Sequence, residues 1–169
     1  MKKLFLLRHG KAGFGTNDHS RPLAPQGKQD ILWLGQYLKT SDMLPDHIFC
    51  SSALRTRETC TQMLDGAEET LPVTIRDDLY HATTEGMTRL IQKLDQEIVA
   101  PMIIAHNPGL ASLFQNLAQH SRQVRDNLSF QTGTLAIITF DIDDWSELQN
   151  HSGQVMRVII PPRITKNVN

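Results

Sequence analysis

Six short apolar runs punctuate this chain. Between the first four, the pattern changes from unbroken apolar stretches to apolar positions three and four apart. Residues 3–8, 47–51, 73–76, 101–105, 134–140 and 154–160 are short and mostly rich in β-branched side chains, which marks them as strands. The segment 26–39 sets Ile31, Leu34 and Leu38 on one helical face with Trp33 and Tyr37 alongside. A second helix is expected over 53–64, with Ser51-Ser52 as a capping pair. A third, over 86–96, carries Met87, Leu90, Ile91 and Leu94 at helical spacing, and a fourth, over 108–119, carries Leu110, Leu113, Phe114 and Leu117. Asn107 before Pro108 reads as a cap followed by proline at the first helical position.

Strands alternating with helices predict an α/β fold, a mostly parallel central sheet covered on both faces in three α/β/α layers. The last two strands are joined by the polar stretch 141–153 and read as a hairpin, giving one antiparallel edge. Residues 145–148 either extend that hairpin or form a turn of helix. Two long irregular regions remain, 11–25 and 119–133; loops of this length are commonly functional. Residues 1–162 are expected to form one domain and 163–169 a frayed tail.

Composition narrows the function. The chain has 169 residues, 40% of them apolar, enough for a substantial core. Its 17 basic and 18 acidic residues leave no general attraction to nucleic acid or to an anionic membrane. Only four apolar residues follow Lys3 before Arg8, too few for a signal peptide, and no run reaches the ~20 residues of a membrane span. A cytoplasmic location is the default expectation. Cys50 and Cys60 match no zinc spacing and are expected to be buried, reduced thiols.

Candidate chemistry lies mostly just beyond strand ends, where open α/β sheets bind ligands. The first run breaks off into Arg8-His9-Gly10: a permanently charged fork suited to phosphate, then a nucleophile that is partly neutral near pH 7. The second runs into Ser51-Ser52-Ala53-Leu54-Arg55-Thr56-Arg57-Glu58-Thr59. Arg55 and Arg57 sit in the first turns of a helix, where a cation opposes the macrodipole unless an anion is present. They point in different directions, so one is expected at the site and the other in solvent. The fourth ends in His106-Asn107-Pro108-Gly109, ahead of a helix N-terminus. Arg21-Pro22-Leu23, with Asp18 before it, lies in the long loop after the first strand.

Each feature alone has an ordinary structural explanation; together, two histidines and two arginines on successive strand ends converge on one rim. Metal binding ranks well below phosphate, because Arg8 neighbours His9 and no carboxylates cluster there. His19, His47, His120 and His151 are scattered and read as surface residues. No GxxxxGK[ST] loop is present.

These segments resemble the histidine phosphatase superfamily, the group that includes phosphoglycerate mutases. The resemblance rests on Arg8-His9-Gly10, on Arg21-Pro22-Leu23 with Gly27 (Ala24 replacing a threonine), on the Ser51–Thr59 segment, and on His106-Asn107-Pro108-Gly109 (Ala105 replacing a glycine). The short length and Leu79-Tyr80-His81-Ala82 look most like the SixA-type phosphohistidine phosphatases. The resemblance implies a phosphoglycerate mutase-like fold, His9 as nucleophile, and Arg8, Arg55 and His106 as the phosphate-binding group, with Arg21 contributing. It implies no metal and no cofactor. Many members carry a glutamate general acid; the matching position holds His81, itself a candidate acid, with Asp77, Asp78 and Glu85 nearby. A phosphohistidine substrate, possible on a partner protein, leaves as imidazole and demands less of an acid than an alkoxide does. The alternatives are a phosphatase of a small phosphate ester and a non-catalytic phosphate- or phosphoprotein-binding module. Neither the physiological substrate nor the oligomeric state is legible in the sequence.

Overall fold

The computed structural model describes residues 1–162; the tail expected at 163–169 lies outside the described residues. The strands are β1 (Lys2–Arg8), β2 (His47–Ser51), β3 (Val73–Arg76), β4 (Pro101–Ala105), β5 (Leu135–Phe140) and β6 (Gln154–Ile159). They form one sheet in the order β3-β2-β4-β1-β5-β6. β1, β2, β3 and β4 pair in parallel, and β5 pairs antiparallel with both β1 and β6. The expected antiparallel edge is therefore two strands wide.

Alternation along each strand divides the core in two, because successive side chains leave opposite faces of a sheet. Leu4, Leu6, Phe49, Ile103, Ala105, Ala136 and Ile138 belong to one apolar cluster; Phe5, Leu7, Ile48, Cys50, Met102, Ile104, Leu135 and Ile137 belong to the other. Helices α1 (Pro25–Thr40) and α2 (Leu54–Ala67) cover the second cluster, through Ile31, Leu34, Leu38, Cys60 and Met63. Helices α3 (Thr84–Gln92) and α4 (Gly109–Leu117) cover the first, through Met87, Ile91, Leu110, Leu113, Phe114 and Leu117. α1 and α2 touch backbone to backbone at Gly35 and Gly66. A Cβ at Gly35 would run into the Met63 carbonyl, and one at Gly66 into that of Leu32. Both cysteines are free and buried, as expected.

Three local expectations are corrected, and the open choice at 145–148 is decided. The third helix stops at Gln92, not 96; Lys93 N–H and Leu94 N–H bond three residues back, to Leu90 and Ile91, and the chain turns there toward β4. The region 119–133 is not wholly irregular: Arg122–Asp126 forms a short helix, α5, capped by Ser121, whose hydroxyl accepts from Val124 N–H at 3.3 Å. Its anchors are Val124 and Phe130, the latter packed on Phe114 with ring centres 5.3 Å apart. Residues 145–148 do not extend the hairpin; Trp145–Glu147 is a 3₁₀ turn closed by an Asp144/Glu147 capping box. Trp145 is buried there and donates to the Ile98 carbonyl at 2.8 Å. Finally, neither Ser51-Ser52 nor Asn107 caps a helix. Ala53 and Pro108 hold the cap positions without side-chain bonds; Ser51 bonds His106, Ser52 bonds His19, and Asn107 bonds the Ser129 and Phe130 carbonyls instead.

Candidate active site

Parallel strands β1, β2 and β4 end side by side, and their last residues open a shallow basin. His9 follows β1 and His106 follows β4; their rings lie 5.3 Å apart, centre to centre, tilted by 53°. Arg55, in the first turn of α2, is buried at 5% exposure, while Arg57, two positions on, is exposed. The expected division between the two arginines is what the fold delivers.

His9 has a defined orientation. Its Nδ1 lies 2.7 Å from the Gly10 carbonyl, which can only accept, so the proton sits on Nδ1 and the lone pair on Nε2. Gly10 N–H in turn donates to Thr59 Oγ1 at 3.1 Å, tying the residue after β1 to α2. Burial, opposed by the Gly10 hydrogen bond and reinforced by Arg55, Arg8 and Arg21, draws His9 down to about 4. The imidazole is therefore neutral at pH 7.

His106 is held by a different device. Its Nε2 lies 2.7 Å from Ser51 Oγ at the end of β2, and its Nδ1 is buried with no hydrogen-bond partner. Either atom of the Ser51–His106 pair can donate; where the Ser51 hydroxyl donates to Nε2, Nδ1 carries the proton. Burial, then the neighbouring His9, Arg55 and His81, pushes His106 down to about 3. Arg8 donates from one terminal nitrogen to the Phe130 carbonyl at 3.0 Å, and its Nε is buried and unpartnered. Burial lowers its affinity for a proton, though nowhere near enough to discharge a guanidinium. Buried polar nitrogens left unpaired are costly, and here two, Arg8 Nε and His106 Nδ1, belong to residues of one basin.

The loop over 11–25 is a tied strap. Ala12 and Leu23 form an antiparallel bridge, Gly13 N–H reaches the Pro22 carbonyl, and Leu23 N–H donates to Glu58 Oε2 at 2.5 Å. Its crest is fastened at His19, whose carbonyl accepts from Leu54 N–H and whose Nε2 meets Ser52 Oγ at 3.1 Å. His19 is exposed, as expected, and packs edge-on against Tyr80 at the rim. Arg21 sits on the strap, donating to the Gly13 carbonyl and to Asp18, near enough to His9 for its charge to act there. The opposite wall is built by α3 and α4. Residues 127–133 close the end of β1, where Gly133 N–H bonds the Arg8 and His9 carbonyls, and Asn107 holds that loop through the Ser129 and Phe130 carbonyls.

The pattern matches a known family. The profile of the histidine phosphatase superfamily (branch 1) fits residues 4–100. This chain belongs to the histidine phosphatase superfamily. An uncharacterized protein of Mycobacterium leprae is 26% identical over 165 residues, spanning 92% of this chain and 99% of that one. A structure described as the putative phosphohistidine phosphatase SixA of Nakamurella multipartitia superposes with a TM-score of 0.82 at 25% identity, covering 95% of this chain and 96% of that one. A protein histidine phosphatase SixA complexed with tungstate gives a TM-score of 0.78 at 22% identity over 94% and 97% of the two chains, a likeness of fold. The superfamily architecture here is SixA-like.

Within this histidine phosphatase, His81 stands at the rim on an exposed turn with positive φ, its ring 3.9 Å from that of Tyr80. Residues 81–85, His106, Asn107, Pro108, Gly109 and Ser112 line an open cleft of about 340 Å³ beside the basin. Gly109 permits this closeness, since a Cβ there would strike the Ala82 carbonyl. Asp78 is bound by Arg76 at 2.8 and 2.6 Å, a pairing that holds its carboxyl below the ordinary range and unfits it as a proton donor. Sequence reasoning passed over Ser51, Tyr80 and His19 as site residues. Ser51 at a strand end was a readable signal for a site hydroxyl; the positions of Tyr80 and His19 were not readable.

Proposed function

We propose that this protein is a phosphatase that works through a phosphohistidine intermediate on His9 and acts on phosphohistidine carried by a partner protein. The observation that carries the reading is the His9 ring itself, fixed through Nδ1 on the Gly10 carbonyl and 5.3 Å from the ring of His106, with Arg55 buried in the first turn of α2. Nε2 attacks phosphorus, a new P–N bond forms, and the bond to the leaving group breaks. Arg8, Arg55 and His106 hold the phosphoryl oxygens as charge redistributes, with Arg21 adding to the field. Water then attacks phospho-His9, releasing orthophosphate and restoring the imidazole. The guanidinium and imidazole donors supply the positive field, so no metal or cofactor is invoked.

Two things support phosphohistidine as the substrate. The group best placed as an acid, His81, is exposed and not a buried carboxyl, and Asp78 is locked in its ion pair. An imidazole leaving group needs the least help. The likeness to proteins described as SixA points the same way. No helix among the described residues is long and apolar enough to cross a membrane.

The test is to mix enzyme with radiolabelled phosphohistidine protein and with labelled sugar and nucleotide phosphates, and quench in alkaline detergent, which spares P–N bonds. Label on wild-type chain, absent from His9→Ala, with fastest turnover on phosphohistidine, is the expected result. Faster turnover of a small ester identifies the alternative substrate class. Phosphate binding without label or turnover identifies a binding module.

A further inference from the structure

Asp18, on the crest of the strap, takes part in more of the rim than any motif suggested. Its main-chain carbonyl accepts from one terminal nitrogen of Arg55 at 2.6 Å, and its Oδ2 accepts from the other at 3.1 Å. The same Oδ2 accepts the Tyr80 hydroxyl at 2.7 Å, and Oδ1 lies 3.3 Å from an Arg21 terminal nitrogen. One residue thus joins α2, the strap and the segment after the Asp77–Leu79 turn. A guanidinium has five N–H groups in a fixed plane. Asp18 occupies two of those on Arg55, fixing the plane while leaving three for a ligand. The Arg55 side chain is 7% exposed and that of Asp18 47%, so the carboxylate is the wet partner of a buried cation.

We propose that Asp18 is a positioning residue: it orients the Arg55 guanidinium, and through it the oxyanion grip of the basin, without touching the reacting phosphorus. The assignment rests on the proposed role of Arg55 in holding phosphate. The strap does not need Asp18 to stay in place, because His19, Leu23 and Gly13 anchor it separately. Removal of the carboxylate therefore loosens Arg55, which keeps the bond to the Asp18 main-chain carbonyl, and leaves the loop in place. The Tyr80 hydrogen bond, opposed next by burial and then reinforced by Arg55 and Arg21, holds Asp18 down to about 2, so its carboxyl is ionised at neutral pH. The opposite geometry is also testable, in which this carboxylate occupies the oxyanion's place and a ligand must expel it.

The test measures binding of inorganic tungstate, a tetrahedral oxyanion, by calorimetry to the full chain and to Asp18→Ala, Asp18→Asn and Asp18→Glu, with kcat and KM in parallel. Asp18→Ala is expected to weaken tungstate about tenfold, the scale of a lost charge-assisted hydrogen bond, with Asp18→Glu recovering part of it. Tyr80→Phe, which removes one partner of Asp18 and leaves Arg55 paired, is expected to cost roughly threefold. In an Arg55→Ala background the Asp18→Ala change should cost nothing further, because its effect runs through Arg55. Tighter tungstate binding by Asp18→Ala, or a full additional loss in the Arg55→Ala background, overturns the proposal. Unchanged thermal midpoints exclude misfolding, and Asp18→Asn, nearly isosteric, serves if Asp18→Ala is unstable. If wild type binds tungstate but turns nothing over, the phosphatase reading fails while these binding comparisons still decide the role of Asp18.

Discussion

The floor of the basin and its rim are built on different principles. On the floor, His9, His106 and Arg55 are 8%, 7% and 5% exposed, and each is set by a strand end or by the first turn of a helix next to one. On the rim, Asp18, His19 and His81 are exposed and come from loops. Floor residues gain their properties from burial: neutral imidazoles, unpaired donors, a guanidinium taken out of water. Rim residues keep ordinary solvation and act by position. The floor thus suits chemistry common to any phosphoryl group, and the rim suits discrimination between leaving groups. A site on rigid elements with variable loops around it is how one fold serves many substrates.

Breaking the floor should affect every substrate alike. Arg55→Ala is expected to lower kcat/KM by about a thousandfold for phosphohistidine and esters together, in the range seen for arginines that stabilise phosphoryl transfer. A loss confined to one substrate class would move Arg55 to the rim.

Acid should also act on the floor first. His9 in the folded chain stays neutral down to about 4, whereas the unfolded chain protonates near the ordinary ~6.5. Between those values the unfolded state binds more protons, so stability falls as pH falls through that window and levels off below it. The full loss is about 3 kcal/mol by the shift of His9 alone. Urea unfolding of wild type and His9→Gln across pH 4–7 checks this, with a shallower slope expected for the variant. Activity on a substrate that does not itself titrate should show no step near 6.5 from His9 and should fail only toward pH 4.

The rim is sharpened by His81→Gln. If His81 protonates leaving alkoxides, ester hydrolysis falls about a hundredfold, the scale of a general acid, while phosphohistidine hydrolysis barely changes. Equal losses on both would show that His81 is not the acid. A smaller effect is expected of Ser51→Ala, which removes one hydrogen bond from His106 and should lower kcat about tenfold with KM little changed, measured on any good substrate.

Local pattern alone determined a great deal here. All six strands, the four main helices and the antiparallel edge follow from short apolar runs and helical spacing, and the residues at run ends pointed to Arg8, His9, Arg55 and His106 as candidates, with Arg21 in the loop after the first strand. Such signals are written in contiguous residues, and a parallel sheet necessarily brings its strand ends to one rim. The partners of those residues were decided only in three dimensions. That Ser51 serves His106 and not a helix end, that Asn107 ties down 129–130, and that Asp18 meets Tyr80 across 62 positions depend on which loops the packed layers bring together. The same hydroxyl or amide can cap its own helix or reach across the basin. Only the burial of competing donors and acceptors in the folded chain decides between those bonds.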